Sequence, residues 1–425
     1  MAIRRGLLSE HFEGVAVKRL APVDANPESS NQHEVTGSEP LLRILGSEDR
    51  KFPKGGSDNR FSATYIWLVG EQEALSEEGF LSWYDSRRNQ PKRSAEWRLY
   101  YQGNAVTELM KPGDVLFLAR KPDGHVLFIV TPDESTIRNQ LLWLFGLDEQ
   151  IGMKFESQEI GDGNDAELDF AARYILDELG IELEEKEADK LDRLIEKFGL
   201  KFPTTLVLSG LARSSLPEVS ARDDPDGALL LWMEREEQLF RRLERRIVAE
   251  RIEQGFTLDD GADVDGFIAF SLSVQNRRKA RAGAALENHI AAVLEANEIR
   301  FAHGVETENR NRPDFLFPGR AEYRDASFPT ARLTMLGSKS TVKDRWRQVL
   351  SEAVRIEEKH LLTLEPGVSE NQTDEMRAKR LQLVVPRPLH ETFRPPQQAW
   401  LMDMAGFLQI VRNRQTASIT QPGGL

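Results

Sequence analysis

The chain has 425 residues, 40% hydrophobic and 29% charged, a length that suggests two or three domains and a balance that excludes disordered and fibrous classes. It contains no cysteine, which excludes disulfides and thiolate metal sites, and no apolar run long enough for a bilayer-spanning helix. Its net charge of −13 argues against a uniformly basic surface but not against nucleic acid, because the charge is unevenly spread along the chain.

In chain order, "MAIRRGLLSEHFEG" lacks the apolar core of a secretion signal, so a cytoplasmic location is expected. Residues 12–160 then break into short apolar runs separated by Gly, Pro, Asn and Asp, among them "GVAVKRL", "SATYIWLVG", "DVLFLARK" and "GHVLFIVTP". That spacing predicts an all-β barrel or sandwich. "LFLARKPDGHVLFIV" predicts a hairpin that turns at Pro122-Asp123-Gly124. Between Asp165 and Glu196 there are twelve acids and four bases, a net charge of −8. Helical periodicity runs through this stretch and Gly180 interrupts it. We read residues 164–199 as an acidic helical linker between an N-terminal domain, 1–163, and a C-terminal domain, 200–425. The latter alternates helices ("MEREEQLFRRLERRIVAERI", "AALENHIAAVLEANEI") with strands ("PDFLF", "RLTMLGS", "LQLVVP"), which is α/β patterning. From Ser271 to His360 the balance reverses, with sixteen bases against twelve acids.

Phosphate-binding GK[ST] loops, G-x-S-x-G elbows and HExxH helices are all absent from the sequence. What remains is a set of carboxylates and one lysine. Pro-Asp occurs four times; Asp123, Asp133 and Asp226 are followed by turn residues, whereas Asp314 is followed by "FLF", placing it at the entrance of a strand. Taken alone, Asp314 fits a turn or cap better than a catalytic role. In "RLTMLGSKS", Leu333, Met335, Gly337 and Lys339 share one strand face. A lysine at such a strand end can be catalytic or can simply snorkel to water. The acid that would precede it by two positions is replaced by Gly337. A following helix, with an apolar stripe at Trp346, Val349, Leu350, Ala353 and Ile356, sets Glu352 and Arg345 on the border of the core. Glu352 is therefore expected to fill the space beside Lys339 that Gly337 leaves empty. A glutamate returned to position 337 is expected to stand in for it.

Two carboxylates of this kind, Asp314 and Glu352, can hold a hard divalent cation such as Mg²⁺, and a lysine beside them can orient water or meet charge on a phosphate. Glu287, in "AALENHIAAVL", is a further candidate acid that reads equally well as a solvated helical residue. Arg277, Arg278, Lys279 and Arg281, in "QNRRKAR", suit phosphate contacts at a groove edge. "SRRNQPKRSAEWR" supplies Arg87, Arg88, Lys92, Arg93 and Arg98, either as DNA contacts or as a solvated face.

"FIAFSLSVQNRRKARAGAALENHI", "RPDFLFPGRAEYRDASFP", "RLTMLGSKSTVKDRWRQVLSEA" and "LQLVVP", in that order and spacing, resemble the catalytic domain of the EcoRII restriction endonucleases. "VKRLAPVDANPESSNQHEV" and "SRRNQPKRSAEWR" are more weakly similar to the two DNA-clasping arms of that family's effector domain. The resemblance implies an N-terminal all-β pseudo-barrel of the plant B-three type and a C-terminal α/β restriction-endonuclease-like domain with a central mixed sheet. It implies a homodimeric type IIE enzyme that cuts both strands of DNA with Mg²⁺ at a CCWGG-like site. A companion cytosine methyltransferase and autoinhibition relieved by a second DNA site are part of the same implication. By motif, Asp314 and Lys339 would be the core catalytic pair, Glu352 the relocated acid, Glu287 an accessory acid, and Tyr323 an active-site tyrosine of undefined role. Lys343, Asp344 and Arg345 match the motif that reads C:G pairs, since Lys and Arg can donate to guanine and Asp accept from cytosine. His33, Lys92, Arg93, Glu96 and Arg98 match the effector site, where Trp97 departs from the family's pattern. Two other readings stay open: a DNA-binding regulator without catalysis, and a repair nuclease of the same fold that recognises structure.

Overall fold

The computed structural model describes residues 6–25, 33–46, 60–69, 74–87, 90, 92–161, 166–183, 187–258 and 261–416. The chain divides into two compact units: one runs up to Leu183 and includes Gly367–Asn371, and the other comprises the rest of the described chain. None of the described helices is long and apolar enough to cross a membrane.

The first unit is built on eight strands, β1 (Gly14–Arg19), β2 (Glu34–Thr36), β3 (Arg60–Trp67), β4 (Leu75–Asp85), β5 (Trp97–Tyr101), β6 (Val115–Arg120), β7 (Val126–Thr131) and β8 (Glu156–Glu159). They form one sheet in the order β2-β5-β4-β3-β7-β6-β1-β8. The β6–β7 hairpin lies where the sequence places it. At its turn Gly124 has φ +83°, and Asp123 Oδ1 accepts the His125 N–H at 2.9 Å. Alternate residues of β6 enter different cores: Phe117 meets Phe12 and Ile129, while Leu116 and Leu118 join Tyr65, Trp83 and Phe128. Both faces of this strand are therefore covered, which explains its unbroken apolar run. The unit is not purely β. Helices α1 (Thr136–Leu144) and α2 (Phe170–Glu178) contribute Leu141, Ala172, Ile175 and Leu176 to the first of these cores.

That finding revises the reading of residues 164–199 as a linker, because α2 is core material of the first unit. The second half of the stretch, α3 (Ala188–Ile195), belongs to the other unit. There Leu191 and Ile195 pack with α4 (Thr205–Ser214) and α5 (Pro225–Glu253) through Leu208, Leu239 and Phe240. Two of its acids are paired locally. Asp192 accepts two bonds from Arg242, at 2.7 and 2.6 Å, and Glu187 pairs with Arg235 at 2.9 Å.

After α5 come α6 (Val264–Ala296) and a five-stranded sheet of β9 (Ala302–His303), β10 (Phe315–Phe317), β11 (Thr334–Lys339), β12 (Lys359–Thr363) and β13 (Leu381–Val384). Strands β9 to β11 pair antiparallel, and β11 to β13 pair parallel, so the sheet is mixed. Between β11 and β12 lies α7 (Trp346–Val349), a single turn. Helix α8 (Met404–Thr416) lies against the sheet, with the Phe407 ring 5.6 Å from Phe317 and 5.1 Å from His360. Arg414 of α8 donates to Leu333 O at 3.3 Å and Thr334 Oγ1 at 3.0 Å, securing the start of β11.

Asp226 anchors the other end of α8. It sits in the first turn of α5, buried, not in the free turn expected from its Pro-Asp-Gly context. Its carboxylate accepts the N–H groups of Arg387 (3.1 Å), Met404 (2.7 Å) and Ala405 (3.1 Å). Asp226→Ala would leave three N–H groups without this acceptor, so it should lower the stability of this unit by about 2–4 kcal/mol. The denaturant midpoint of its unfolding transition measures this, and a change below about 0.5 kcal/mol, the scale of a surface substitution, would contradict the anchoring role.

Candidate active site

Antiparallel pairing of β10 with β11 sets Phe315 opposite Leu336 and so brings Asp314, just before β10, to the end of β11. Asp314 Oδ2 accepts the Ser338 N–H at 2.7 Å, the Ser338 hydroxyl at 3.2 Å and Lys339 Nζ at 3.2 Å. Lys339 Nζ also donates to Ser338 O at 2.9 Å. The two strand ends thus fix both partners of the Asp314–Lys339 pair, whose side chains are less than one-fifth exposed. Among the described residues all three donors fall on Oδ2, leaving Oδ1 available to another ligand.

Glu352 reaches this pair by a different route from the one its sequence suggests. The expected helix does not continue to Ile356: α7 ends at Val349, and Ala353 takes a left-handed φ of +45°. Trp346, Val349, Ala353 and Ile356 are all buried nonetheless. The space above Gly337 is filled by Val349, since a Cβ added there would lie 3.0 Å from Val349 Cγ2. Glu352 does not occupy that space, and a glutamate at position 337 would meet Val349 first. The Glu352 carboxyl approaches from the turn that follows α7. Its Oε2 is buried without a hydrogen-bond partner. Burial first, and the Asp314 carboxylate second, push its pKa up to about 7 against the opposing pull of Lys339 and Lys359.

Asp314 and Glu352 offer the ligand chemistry that a hard divalent cation prefers, and the orphaned Glu352 oxygen suits that use. No group of three or more His, Asp or Glu converges as an ion site among the described residues, so water or substrate oxygens would have to complete the coordination. Glu287 is not part of the pair. It sits on α6 and bonds His303 Nε2 at 2.8 Å, and the His303 ring lies 5.0 Å from that of Phe315, next to Asp314 in the chain.

Tyr323 has a definite place. Its hydroxyl donates to Glu308 Oε2 at 2.6 Å and accepts the Arg355 N–H at 3.4 Å, while Glu308 Oε2 also accepts the Val354 N–H at 3.3 Å. Tyr323 therefore grips the turn carrying Glu352. Burial and the Glu308 carboxylate raise the proton affinity of its phenol well above the usual range, so it stays protonated. Sequence reasoning missed Glu308, Ser338 and Lys359.

Of the proposed DNA contacts, Arg345 is exposed, Lys343 is partly exposed with φ +34°, and the side chain of Asp344 lies outside the described set. Arg277 is exposed, its guanidinium 4.4 Å from the Phe202 ring centre, and Lys279 is also exposed. Two of the basic cluster pair with acids instead. Arg278 pairs with Glu244 at 2.6 Å. Arg281 is buried against Glu236 and Glu237, with its guanidinium 4.4 Å from the Phe240 ring centre. Both are engaged by α5; burial corrects the reading of Arg281 as a phosphate contact, whereas the side chain of Arg278 is still 36% exposed.

In the first unit Lys92 and Arg93 are exposed at the β4–β5 connection, and Arg88 and residues 26–32 fall outside the described residues. Glu96 bridges Arg87, at 2.6 Å, and Arg98, and Arg98 also donates to Thr36 Oγ1 at 3.1 Å. The bond from Arg98 is the first of the causes that lower the Glu96 pKa. His33 packs edge-on against Tyr101 at 5.4 Å, and Trp97 stacks on Trp83 at 5.1 Å.

The raised pKa of Glu352 has a consequence for stability. Between its ordinary value of 4.5 and about 7, the folded chain holds this proton more tightly than the unfolded chain. The resulting stabilisation is fully present below pH 4.5 and is lost as pH rises through 7. In metal-free buffer the melting temperature of the wild type should fall by a few degrees relative to Glu352→Gln between pH 5 and 8. Parallel pH profiles for the two proteins would contradict this.

Residues 240–408 match the family model described as "EcoRII C terminal". The chain is 39% identical to the type II restriction enzyme EcoRII of Escherichia coli over 230 residues, which is 54% of this chain and 55% of that protein. The chain thus spans just over half the length of this curated relative. Among solved structures, metal-depleted Ecl18kI with uncleaved, modified DNA matches at 18% identity and a TM-score of 0.41, over 55% of this chain and 88% of that one. A complex of restriction endonuclease PspGI with substrate DNA matches at 13% identity and a TM-score of 0.42, over 51% of this chain and 95% of that one. Residues 240–408, which contain Asp314, Lys339 and Glu352, are therefore a domain of the EcoRII C-terminal family.

Proposed function

We propose that the chain is a type II site-specific deoxyribonuclease that cuts both strands of DNA at a CCWGG-like site in the presence of Mg²⁺. The observation behind this reading is the meeting of Asp314, Lys339 and Glu352 within a domain of the EcoRII C-terminal family. Asp314 and Glu352 would hold the cation, Asp314 through the oxygen left over from Ser338 and Lys339, and Glu352 through its unpartnered Oε2. When bound, such a cation makes a water molecule more acidic and neutralises charge that builds on the phosphate. Glu352, protonated up to about pH 7, would have to release its proton for this purpose. Lys339 keeps a fixed ammonium beside the reacting phosphate, already oriented by Asp314 and Ser338 O. Tyr323 acts through Glu308 on the Glu352 turn, so its assigned role is positioning rather than proton transfer.

Lys343, Asp344 and Arg345, on the short turn before α7, would read C:G pairs, and the exposed Arg277 and Lys279 would meet phosphates. The first unit would bind a second DNA site through His33, Lys92, Arg93, Glu96 and Arg98. For that binding to activate cleavage it must favour the competent state by its differential affinity. A homodimer and a partner cytosine methyltransferase complete the proposed restriction-modification system.

Digestion of plasmid DNA by the purified chain with Mg²⁺, followed by run-off sequencing of the ends, tests this. Discrete fragments whose ends share one sequence are expected. Smears or nicks would favour a structure-specific repair nuclease, and intact DNA a binding regulator. Asp314→Ala and Lys339→Ala should each reduce cleavage at least about 10²–10³-fold, the scale for loss of one electrostatic catalytic group, with DNA binding in Ca²⁺ retained. Near-wild-type cutting by either variant would sink the assignment.

A further inference from the structure

The turn that presents Glu352 is gripped on its carbonyl side by a buried cation. Lys359, the first residue of β12, is 7% exposed. Its Nζ donates to the main-chain carbonyls of Glu352, Ala353 (3.2 Å) and Ile356 (2.9 Å). These three acceptors match the three hydrogens of an ammonium. Helix α7 ends at Val349 and Ala353 reverses the chain, so carbonyls in this turn have no next helical turn to receive them, and a cation at such an end is favourable. On the amide side, Glu308 and Tyr323 hold Val354 N and Arg355 N.

A buried ammonium is costly to desolvate, and the apolar stem of a methionine would fill the same strand position without that cost. Its use here must lie in what it holds. Lys359 bonds the backbone of Glu352 and not its carboxylate, so it fixes the residue while leaving the buried Oε2 unengaged. A lysine bonded directly to that carboxylate would compete with a cation for it.

We propose that Lys359 is a positioning residue of the active site: its ammonium locks the 352–356 turn so that the Glu352 carboxylate stands beside Asp314, ready for a divalent cation. The proposal rests on the reading of Asp314, Lys339 and Glu352 as a nuclease centre. It adds a fourth charged residue, which acts through the backbone.

The test uses the full chain with Lys359→Met, which keeps the stem and removes the three donors. The Mg²⁺ concentration giving half-maximal cleavage should rise at least tenfold, and calorimetric Ca²⁺ affinity should fall by a similar factor. Affinity for cognate duplex without metal should stay within twofold of the wild type. A lysine with a merely structural role would lower the melting temperature while leaving the Mg²⁺ midpoint and Ca²⁺ affinity at wild-type values, and that result overturns the proposal. Should Lys359→Met not fold, Tyr323→Phe probes the same turn from its other face. It should move the Mg²⁺ midpoint in the same direction, and an unmoved midpoint overturns the proposal equally. If the wild type itself neither cuts DNA nor binds Ca²⁺, the nuclease reading falls and takes this proposal with it. An active wild type with an unaltered Lys359→Met variant removes the proposal alone.

Discussion

The site depends on holding two carboxyl groups close together where water screens them poorly. Asp314 and Glu352 repel each other when both are ionised, and burial adds to that cost, so Glu352 keeps its proton to about pH 7. A cation between them would remove the conflict. Most of the second unit's distinctive chemistry can be understood as the means of maintaining this arrangement. Lys339 offsets Asp314, Ser338 fixes its orientation, and Lys359 and Tyr323 grip the turn that brings Glu352 in.

The scaffold supplies the rigidity such a pair needs. Asp314 and Lys339 stand at the ends of adjacent central strands, whose register fixes them relative to each other. Strands β10 and β12 rest on α8 through Phe317, His360 and Phe407, and Asp226 and Arg414 secure the two ends of α8. Asp314 adjoins a strand and Lys339 ends one, whereas Glu352 comes from the turn after α7. Irregular segments need more fastening to hold a functional group in place, which is where the additional hydrogen bonds of Lys359, Glu308 and Tyr323 are found.

Much of this was legible in the sequence, and the exceptions have specific physical causes. An apolar run after Pro-Asp marked Asp314 as a strand entrance, and alternation put Lys339 at a strand end, because period-two patterning survives whatever the sheet's partners are. Helical spacing brought Glu352 to the same place, although by a mistaken path. Apolar spacing at 346, 349, 353 and 356 marks what is buried, but it cannot reveal that Ala353 turns left-handed and ends the helix there. The vacancy at Gly337 was real, yet Val349 was the nearer claimant. Charge counts misled where partners are distant in sequence. Arg281 looked available for phosphate until α5 buried it against Glu236 and Glu237, and Arg278 pairs with Glu244. The acidic stretch reads as a linker, yet Arg242 and Arg235 tie its Asp192 and Glu187 to α5. Lys359 gave no signal at all, since "EEKH" reads as a solvated charge run.

The claim on which the rest turns is that Asp314 and Glu352 act as one cation site. Electron paramagnetic resonance of Mn²⁺ titrated into the wild type, Asp314→Asn and Glu352→Gln tests it most directly, because it counts bound ions without requiring cleavage. The account predicts one tightly held ion per wild-type chain, lost or greatly weakened in both variants. Undiminished Mn²⁺ binding by Glu352→Gln would contradict it.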